Sequence, residues 1–186
     1  MSTDSLLKNR NFVFFLSIRW FYSVAIQSIT LTVGWQVYIL TGNPLDLGLI
    51  GLAQVFPIFL FILPSGVIAD KFDRKIVICL CTIVHLLVAV YLLYYSLSGP
   101  TSIWPILIAL LVHGTARAMY QPSLSAILPN IVEKKVFPNA TAYNSSVGKL
   151  GHLIGPLISG VIISFYDTKV YIFAIICFAI STISTL

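Results

Sequence analysis

The chain has 186 residues, of which 58% are hydrophobic and only 9% are charged, and its mean hydropathy is +0.97. Soluble domains carry about 25% charged residues, so this composition excludes a globule in water and indicates an integral membrane protein. The net charge is +5, but the basic residues lie in short hydrophilic segments between apolar runs, which favours a role in membrane topology over nucleic-acid binding.

Six apolar runs follow one another along the chain, and a membrane-crossing helix needs about 20 such residues. The predicted spans are about 12–40, 45–69, 76–97, 102–128, 140–165 and 170–186. Their separators are rich in Gly, Pro, Asn and Asp, as turns require: TGNP, DKFDRK, SGP, NIVEKKVFPN and YDTK. The last run reaches the final residue, so we expect the chain to end within its sixth span or at the end of that span.

Basic residues are distributed unevenly between the two sides of the membrane. The N-terminal segment and the separators after the second and fourth runs share one side, and they hold Lys8, Arg10, Lys71, Arg74, Lys75, Lys134 and Lys135. The separators on the opposite side offer only Lys169. Because positive residues are retained in the cytoplasm, the pattern predicts a multi-pass membrane protein with a cytoplasmic N-terminus.

A few polar side chains interrupt the apolar runs at helical spacing. In the first run Arg19, Ser23 and Gln27 recur every four residues, and in the fourth run His113, Arg117 and Gln121 do the same. A charge inside the membrane needs a protein partner or a water-filled cavity. We therefore expect a polar cavity wall formed by Arg19, Gln27, His113, Arg117 and Gln121.

Simpler interpretations apply to some of these polar residues. Arg19 and Lys149 lie about two turns from the cytoplasmic end, so their side chains can extend to the interface instead. His85 is more typical of a packing residue than of a ligand. The histidine spacing does not favour a metal site, and we expect neither a metal nor a cofactor. No Asp or Glu lies in the core of any run, so a protonatable carboxylate for proton coupling would come from elsewhere or from Asp70 at the inner rim.

The fifth run carries a ridge of small residues. Gly148, Gly151, Gly155 and Ser159 recur at spacings of three and four, which allows the backbone of another helix to approach closely. Pro156 removes a backbone donor and is expected to bend or hinge this helix.

The segment Gly66–Lys75, GVIADKFDRK, resembles the loop between helices two and three of the major facilitator superfamily, with the pattern G-x-L-A-D-[RK]-x-G-[RK]-[RK]. Ile68 replaces the usual Leu, and Asp73 stands where Gly is typical. TGNPLDLGLIGLAQVFP, ARAMYQPSLSAILP and NATAYNSS are similar to the branch that contains the enterobactin exporter and macrolide efflux proteins. The fifth run resembles the exporter motif of helix five at Gly151, Gly155, Pro156 and Gly160. It departs from that motif at Ser159 and Ala142, where Gly is usual, and Arg117 matches the family's fourth-helix arginine.

This resemblance implies an all-α fold in which six transmembrane helices, arranged as a 3+3 inverted repeat, form one half of a twelve-helix carrier that works by alternating access. It implies a conformational latch of charged and small residues in the loop after helix two: Gly66, Asp70, Lys71, Asp73, Arg74 and Lys75. It also implies a hinge in helix five at Gly151, Gly155, Pro156 and Gly160. The chain would then supply the N-terminal half, with the C-terminal half absent, and the resemblance implies a location in the cell (inner) membrane.

The predicted function is export of a small organic molecule, such as a drug, a siderophore or a lipid-like compound, by a secondary transporter that is not an enzyme. Its expected partners are the lipid bilayer, the substrate and a second six-helix half. The alternative is a truncated, non-transporting membrane protein or a half-size subunit that needs a partner chain. An ATP-driven exporter is not favoured, because the inner loops are short and G-x-x-x-x-G-K-[ST] does not occur. A membrane enzyme is not favoured either, because the runs hold no cluster of acids or of His with acids.

Overall fold

The computed structural model of the protein describes residues 6–166 and 168–185, and the side chains of these residues except 67–70. Six long α-helices fill the described part of the chain, and a single turn of 3-10 helix, Lys134–Val136, precedes the fifth. In chain order they are α1 Arg10–Thr41, α2 Pro44–Lys71, α3 Arg74–Leu97, α4 Trp104–Ile131, α5 Phe137–Phe165 and α6 Lys169–Thr185. The all-helical class predicted from composition is confirmed.

The helix ends follow the turn residues of the sequence. Gly42 ends α1 with φ of 63°, a left-handed conformation that glycine adopts without a steric penalty, and its N–H donates to the Tyr38 carbonyl at 2.8 Å. The side chain of Asn43 then accepts a hydrogen bond from Leu45 N at 3.1 Å, at the first turn of α2. Asp73 caps α3 by accepting from Lys75 N at 2.8 Å. The short separators therefore reverse the chain between antiparallel helices.

The helices pack as a four-helix core with one helix on each flank. α1 packs on α6, α6 on α3, and α3 on α4, while α1 and α4 approach each other only slightly. α5 lies against α1 and α2 lies against α4, and these two flanking contacts are among the most extensive in the bundle. The sequence separators alone do not predict this order, because they connect helices that have little mutual contact.

A buried aromatic cluster lies where the four core helices meet. The Tyr22 ring of α1 stacks on Tyr120 of α4 at a centroid distance of 3.5 Å, and its edge-to-face neighbours are His85 of α3 at 5.3 Å and Phe178 of α6 at 6.0 Å. The His85 ring also contacts the His113 ring of α4 at 4.5 Å. Stacked and edge-to-face pairs of this kind add to the packing of the rings. His85 is therefore a buried packing residue.

The outer surface of the bundle is apolar. Leu63 is 81% exposed and Phe165 is 75% exposed, as side chains that face lipid are. Among the described residues, four helices meet the length and composition needed to cross a membrane: α1, α2 over Pro44–Gly66, α3, and α5 with its preceding turn. The polar residues of α4 lower its mean hydropathy, and α6 has 17 residues. A multi-pass membrane protein follows from these helices.

Candidate functional site

The polar stripe of α1 faces the glycine ridge of α5. A β-carbon built on Gly151 would lie 2.7 Å from Ser23 Cβ, and one built on Gly155 would lie 2.8 Å from the Val24 carbonyl oxygen and 2.9 Å from Gln27 Cβ. Such distances are shorter than any ordinary contact, so only glycine fits at these two positions. Two sequence features that are more than 120 residues apart thus form one helix–helix seam.

Arg19 lies at the end of this seam. Its guanidinium rests on Gly148, where an added β-carbon would be 2.6 Å from Nε and 2.7 Å from Nη2. On the other side its Nη1 donates to Gln121 Oε1 of α4 at 2.9 Å, and this hydrogen bond is exposed. The guanidinium therefore bridges α1, α4 and α5, about one helical turn from the stacked rings of Tyr22 and Tyr120.

Two more basic side chains lie near Arg19. His152 of α5 is half-buried and lies one helical turn after Gly148, on which the Arg19 guanidinium rests. Arg117 is half-buried on α4 and lies one helical turn before Gln121, the hydrogen-bond partner of Arg19. The result is a face of α1, α4 and α5 that carries Arg19, Arg117 and His152, with Gln121 bonded to Arg19 and Gln27 two helical turns further along α1. We call this surface the basic face.

Four of the five residues predicted for a cavity wall lie on or beside this face, and His113 does not. The His113 side chain is completely buried, and its ring points into the aromatic cluster beside His85. The reason is geometric: four residues of an α-helix turn about 400°, so each i+4 step moves about 40° around the helix. His113, Arg117 and Gln121 therefore face successively different directions, and they are buried, half-buried and exposed in that order. The structure therefore places His113 in the core of this bundle, and its part in a cavity wall stays a prediction.

The charged loop between α2 and α3 has contacts within this bundle. Asp73 is used as the helix cap described above. Arg74 is half-buried and donates from Nη1 to the carbonyl of Ala126 on α4 at 3.0 Å. Asp73, Arg74 and Lys75 line an open cavity of about 820 Å³ together with Arg10 of α1.

The remaining latch residues differ in what the structure shows of them. The side chain of Asp70 lies outside the described part of the chain, while Lys71 and Gly66 are exposed. Their role as a latch stays a prediction.

The residues predicted for a hinge fall into two groups. Gly151 and Gly155 are buried in the seam with α1, and Pro156 is half-buried within α5. Gly160 is exposed, and a β-carbon added to it would meet nothing within 4 Å. Sequence reasoning singled out this ridge for close packing but could not name α1 as the helix that packs there.

Metal binding has no support in the described side chains, where His, Cys, Asp and Glu form no group of three or more. The three cysteines are free: Cys79 is half-buried, and Cys81 and Cys177 are buried. The groups that the basic face offers to a ligand are instead guanidinium, imidazole and amide. Such groups bind by charge and by hydrogen bonds.

An apolar helical bundle that carries basic residues between its helices is the architecture of a multi-pass membrane protein. The sequence matches the family described as transmembrane secretion effector over residues 10–186. Because this match covers most of the chain, the protein belongs to that family, within the major facilitator superfamily. The resemblance seen in the Gly66–Lys75 loop is confirmed.

Individual relatives are transport proteins. The chain is 30% identical over 153 residues to the staphyloferrin A transporter of Staphylococcus aureus, covering 80% of this chain and 38% of that transporter. It is 20% identical over 132 residues to macrolide efflux protein A of Streptococcus pyogenes, covering 71% of this chain and 33% of that protein. A third relative is the uncharacterized MFS-type transporter YfiS of Bacillus subtilis, 23% identical over 128 residues, with 69% and 30% of the two chains covered. The chain thus spans about a third of the length of the relatives it matches.

Proposed function

We propose that the six helices all cross the membrane and form a 3+3 inverted repeat, one half of a twelve-helix carrier. The contacts between helices support this. In such a repeat α1 corresponds to α4, α2 to α5, and α3 to α6. The α1–α5 contact then corresponds to the α2–α4 contact, and the α1–α6 contact corresponds to the α3–α4 contact; all four are present. The α3–α6 contact corresponds to itself. This is the pattern expected of two three-helix units related by a two-fold axis in the membrane plane.

The carrier exports a small organic molecule by alternating access, and the basic face forms part of its pathway. The observation that carries this proposal is the bridging position of Arg19 between α1, α4 and α5. Half-buried cations in a membrane protein are costly unless they line a water-filled cavity or meet a partner. The second half of the pathway comes from a further six helices, in the same protein or in another chain.

The loop after α2 forms the latch of the conformational change, and the glycine ridge of α5 forms its hinge. Asp70, Arg74 and Lys75 form the latch at the cytoplasmic side, with Arg74 anchored to the end of α4 by its bond to the Ala126 carbonyl. Gly151, Gly155 and Pro156 form the hinge of α5, because the two glycines place no side chain between α5 and α1 and Pro156 removes one backbone hydrogen bond of the helix.

The proposed orientation predicts the accessibility of the helix ends. Lys135, before α5, and Lys169, at the start of α6, are both exposed. A cysteine at Lys135 is expected to react with a membrane-impermeant maleimide only in inside-out vesicles. A cysteine at Lys169 is expected to react only in right-side-out vesicles. The background variant replaces Cys79, Cys81 and Cys177 by serine. Labelling of both positions from the same side would contradict the six-span arrangement.

The transport proposal predicts flux that depends on Gly148. The protein produced from its full gene is reconstituted into phosphatidylethanolamine and phosphatidylglycerol vesicles, and export is measured for labelled macrolides, staphyloferrin A and small aromatic acids and amides. We expect Gly148→Ala to reduce flux of the transported compound about tenfold, because the new methyl displaces the Arg19 guanidinium and its hydrogen bond to Gln121.

The matched control is Gly34→Ala, since a β-carbon at Gly34 of α1 would meet nothing within 4 Å. Its flux is expected to equal that of the wild-type protein. The proposal would be contradicted by a folded protein that transports none of the compounds, or by Gly148→Ala and Gly34→Ala vesicles with equal flux.

A further inference from the structure

The basic face has positive charge without a matching negative charge in the described structure. Arg19, Arg117 and His152 come from three different helices. The carboxylates whose side chains are described all lie at helix ends: Asp46 in the first turn of α2, Asp73 at the cap of α3, and Glu133 before the 3-10 turn. In the part of the chain that the structure describes, none of them forms an ion pair with Arg19 or Arg117.

The partner of Arg19 is neutral, and this distinguishes the site from a structural ion pair. The Gln121 amide oxygen accepts one N–H of the guanidinium at 2.9 Å and fixes its orientation, but it leaves the charge uncompensated. Nε is buried against α5 and has no hydrogen-bond partner among the described residues. The guanidinium is thus held in place between Gly148 and Gln121, with its exposed side facing away from the core.

An oriented guanidinium of this kind is suited to one chemical group. Arginine presents parallel N–H donors that match the two oxygens of a carboxylate, and a charge-assisted bond is about twice as strong as a neutral one. The neighbouring Arg117 guanidinium raises the positive potential of the face and repels a cationic ligand. A neutral ligand would leave both guanidinium charges uncompensated.

We propose that the basic face selects organic anions, and that the carboxylate of the transported molecule binds at Arg19. This inference rests on the proposed transport function and names its substrate class. Arg19 contacts the carboxylate, while Gln121 and Gly148 are positioning residues that hold the guanidinium.

Binding by the purified protein from its full gene tests the inference without transport. The probes are naphthoate, cinnamate and indoleacetate, each compared with its own neutral primary amide by isothermal titration calorimetry. The acids are expected to bind at least about tenfold more tightly than their amides, as one charge-assisted hydrogen-bonded pair implies. Arg19→Gln is expected to remove this preference.

A second variant tests whether the charge of Arg19, rather than the shape of the site, causes the preference for acids. Gln121→Glu places a carboxylate at the atom that already accepts from Arg19, so it neutralises the guanidinium without a change of shape. We expect it to abolish the acid preference while its melting temperature stays equal to or above that of the wild-type protein. Lys135→Gln, which removes an exposed charge in the turn before α5, should leave the preference unchanged.

The inference is wrong if no acid binds more tightly than its amide, or if Gln121→Glu retains the full preference. Vesicle flux distinguishes this failure from that of the transport proposal. Export of amides and acids at equal rates overturns the anion selectivity and leaves transport standing. An acid preference in binding with no export of any compound supports the anion site and overturns transport.

Discussion

Replacing Tyr22 by alanine is expected to lower the free energy of unfolding by about 3 kcal/mol or more, the range for truncating a large buried aromatic residue. Tyr22 is 4% exposed and packs against rings of the other three core helices at once, including the stacked contact with Tyr120 at 3.5 Å. Its loss would leave a cavity at the point where α1, α3, α4 and α6 meet. Denaturation of the purified protein, followed by far-ultraviolet circular dichroism, measures the change.

Two controls separate packing from other effects of the Tyr22 substitution. Tyr22→Phe removes only the hydroxyl, whose contact with His85 Nε2 is long at 3.4 Å, so we expect a loss below about 1 kcal/mol. Tyr94→Ala truncates the same residue type on α3, where the side chain is 71% exposed, and should be nearly neutral. Equal destabilisation by Tyr22→Ala and Tyr94→Ala would show that the cluster is not the centre of the fold.

Introducing a single methyl group at Gly155 is expected to destabilise the bundle and to separate α5 from α1. The new carbon of Gly155→Ala would lie 2.8 Å from the Val24 carbonyl oxygen, and a backbone atom cannot move aside as a flexible side chain can. Overpacking of this kind costs about 1–3 kcal/mol, which exceeds the gain of up to about 1 kcal/mol that alanine brings to a helix interior. The melting temperature measured in detergent should fall.

The same substitution at Gly160 gives a matched control on the same helix. A β-carbon there meets nothing within 4 Å, so only the helix-propensity gain remains and the melting temperature should stay level or rise. Gly148→Ala should lie between the two, because the group that it displaces is the flexible end of the Arg19 side chain. A Gly155→Ala protein as stable as Gly160→Ala would refute the close α1–α5 seam.

Composition and local pattern were enough to predict the class of this protein. Apolar runs separated by turn residues predict long helices, and the charged loop Gly66–Lys75 predicts the superfamily. The Asp73 substitution in the loop motif also has a local explanation, since an aspartate caps α3. These features depend on residues close in sequence, which is why a sequence reveals them.

The pairing of helices could not be predicted in the same way. Periodicity shows that α1 has a polar stripe and that α5 has a small-residue ridge, but it contains no information on which helix faces which. The bond between Arg19 and Gln121 joins residues 102 positions apart, and its existence depends on the order in which the helices pack. The burial of His113 was not predicted for a related reason, since a pattern of every fourth residue ignores the 3.6-residue turn of the helix.

The flanking positions of α2 and α5 have a consequence for local stability. Each is joined to the four-helix core mainly through one neighbour, α4 or α1, and the aromatic cluster holds no side chain from either. Regions with fewer packed neighbours open at a lower free energy than the centre of a fold. The amide hydrogens of α2 and α5 should therefore exchange with solvent deuterium through partial openings that leave the other four helices assembled.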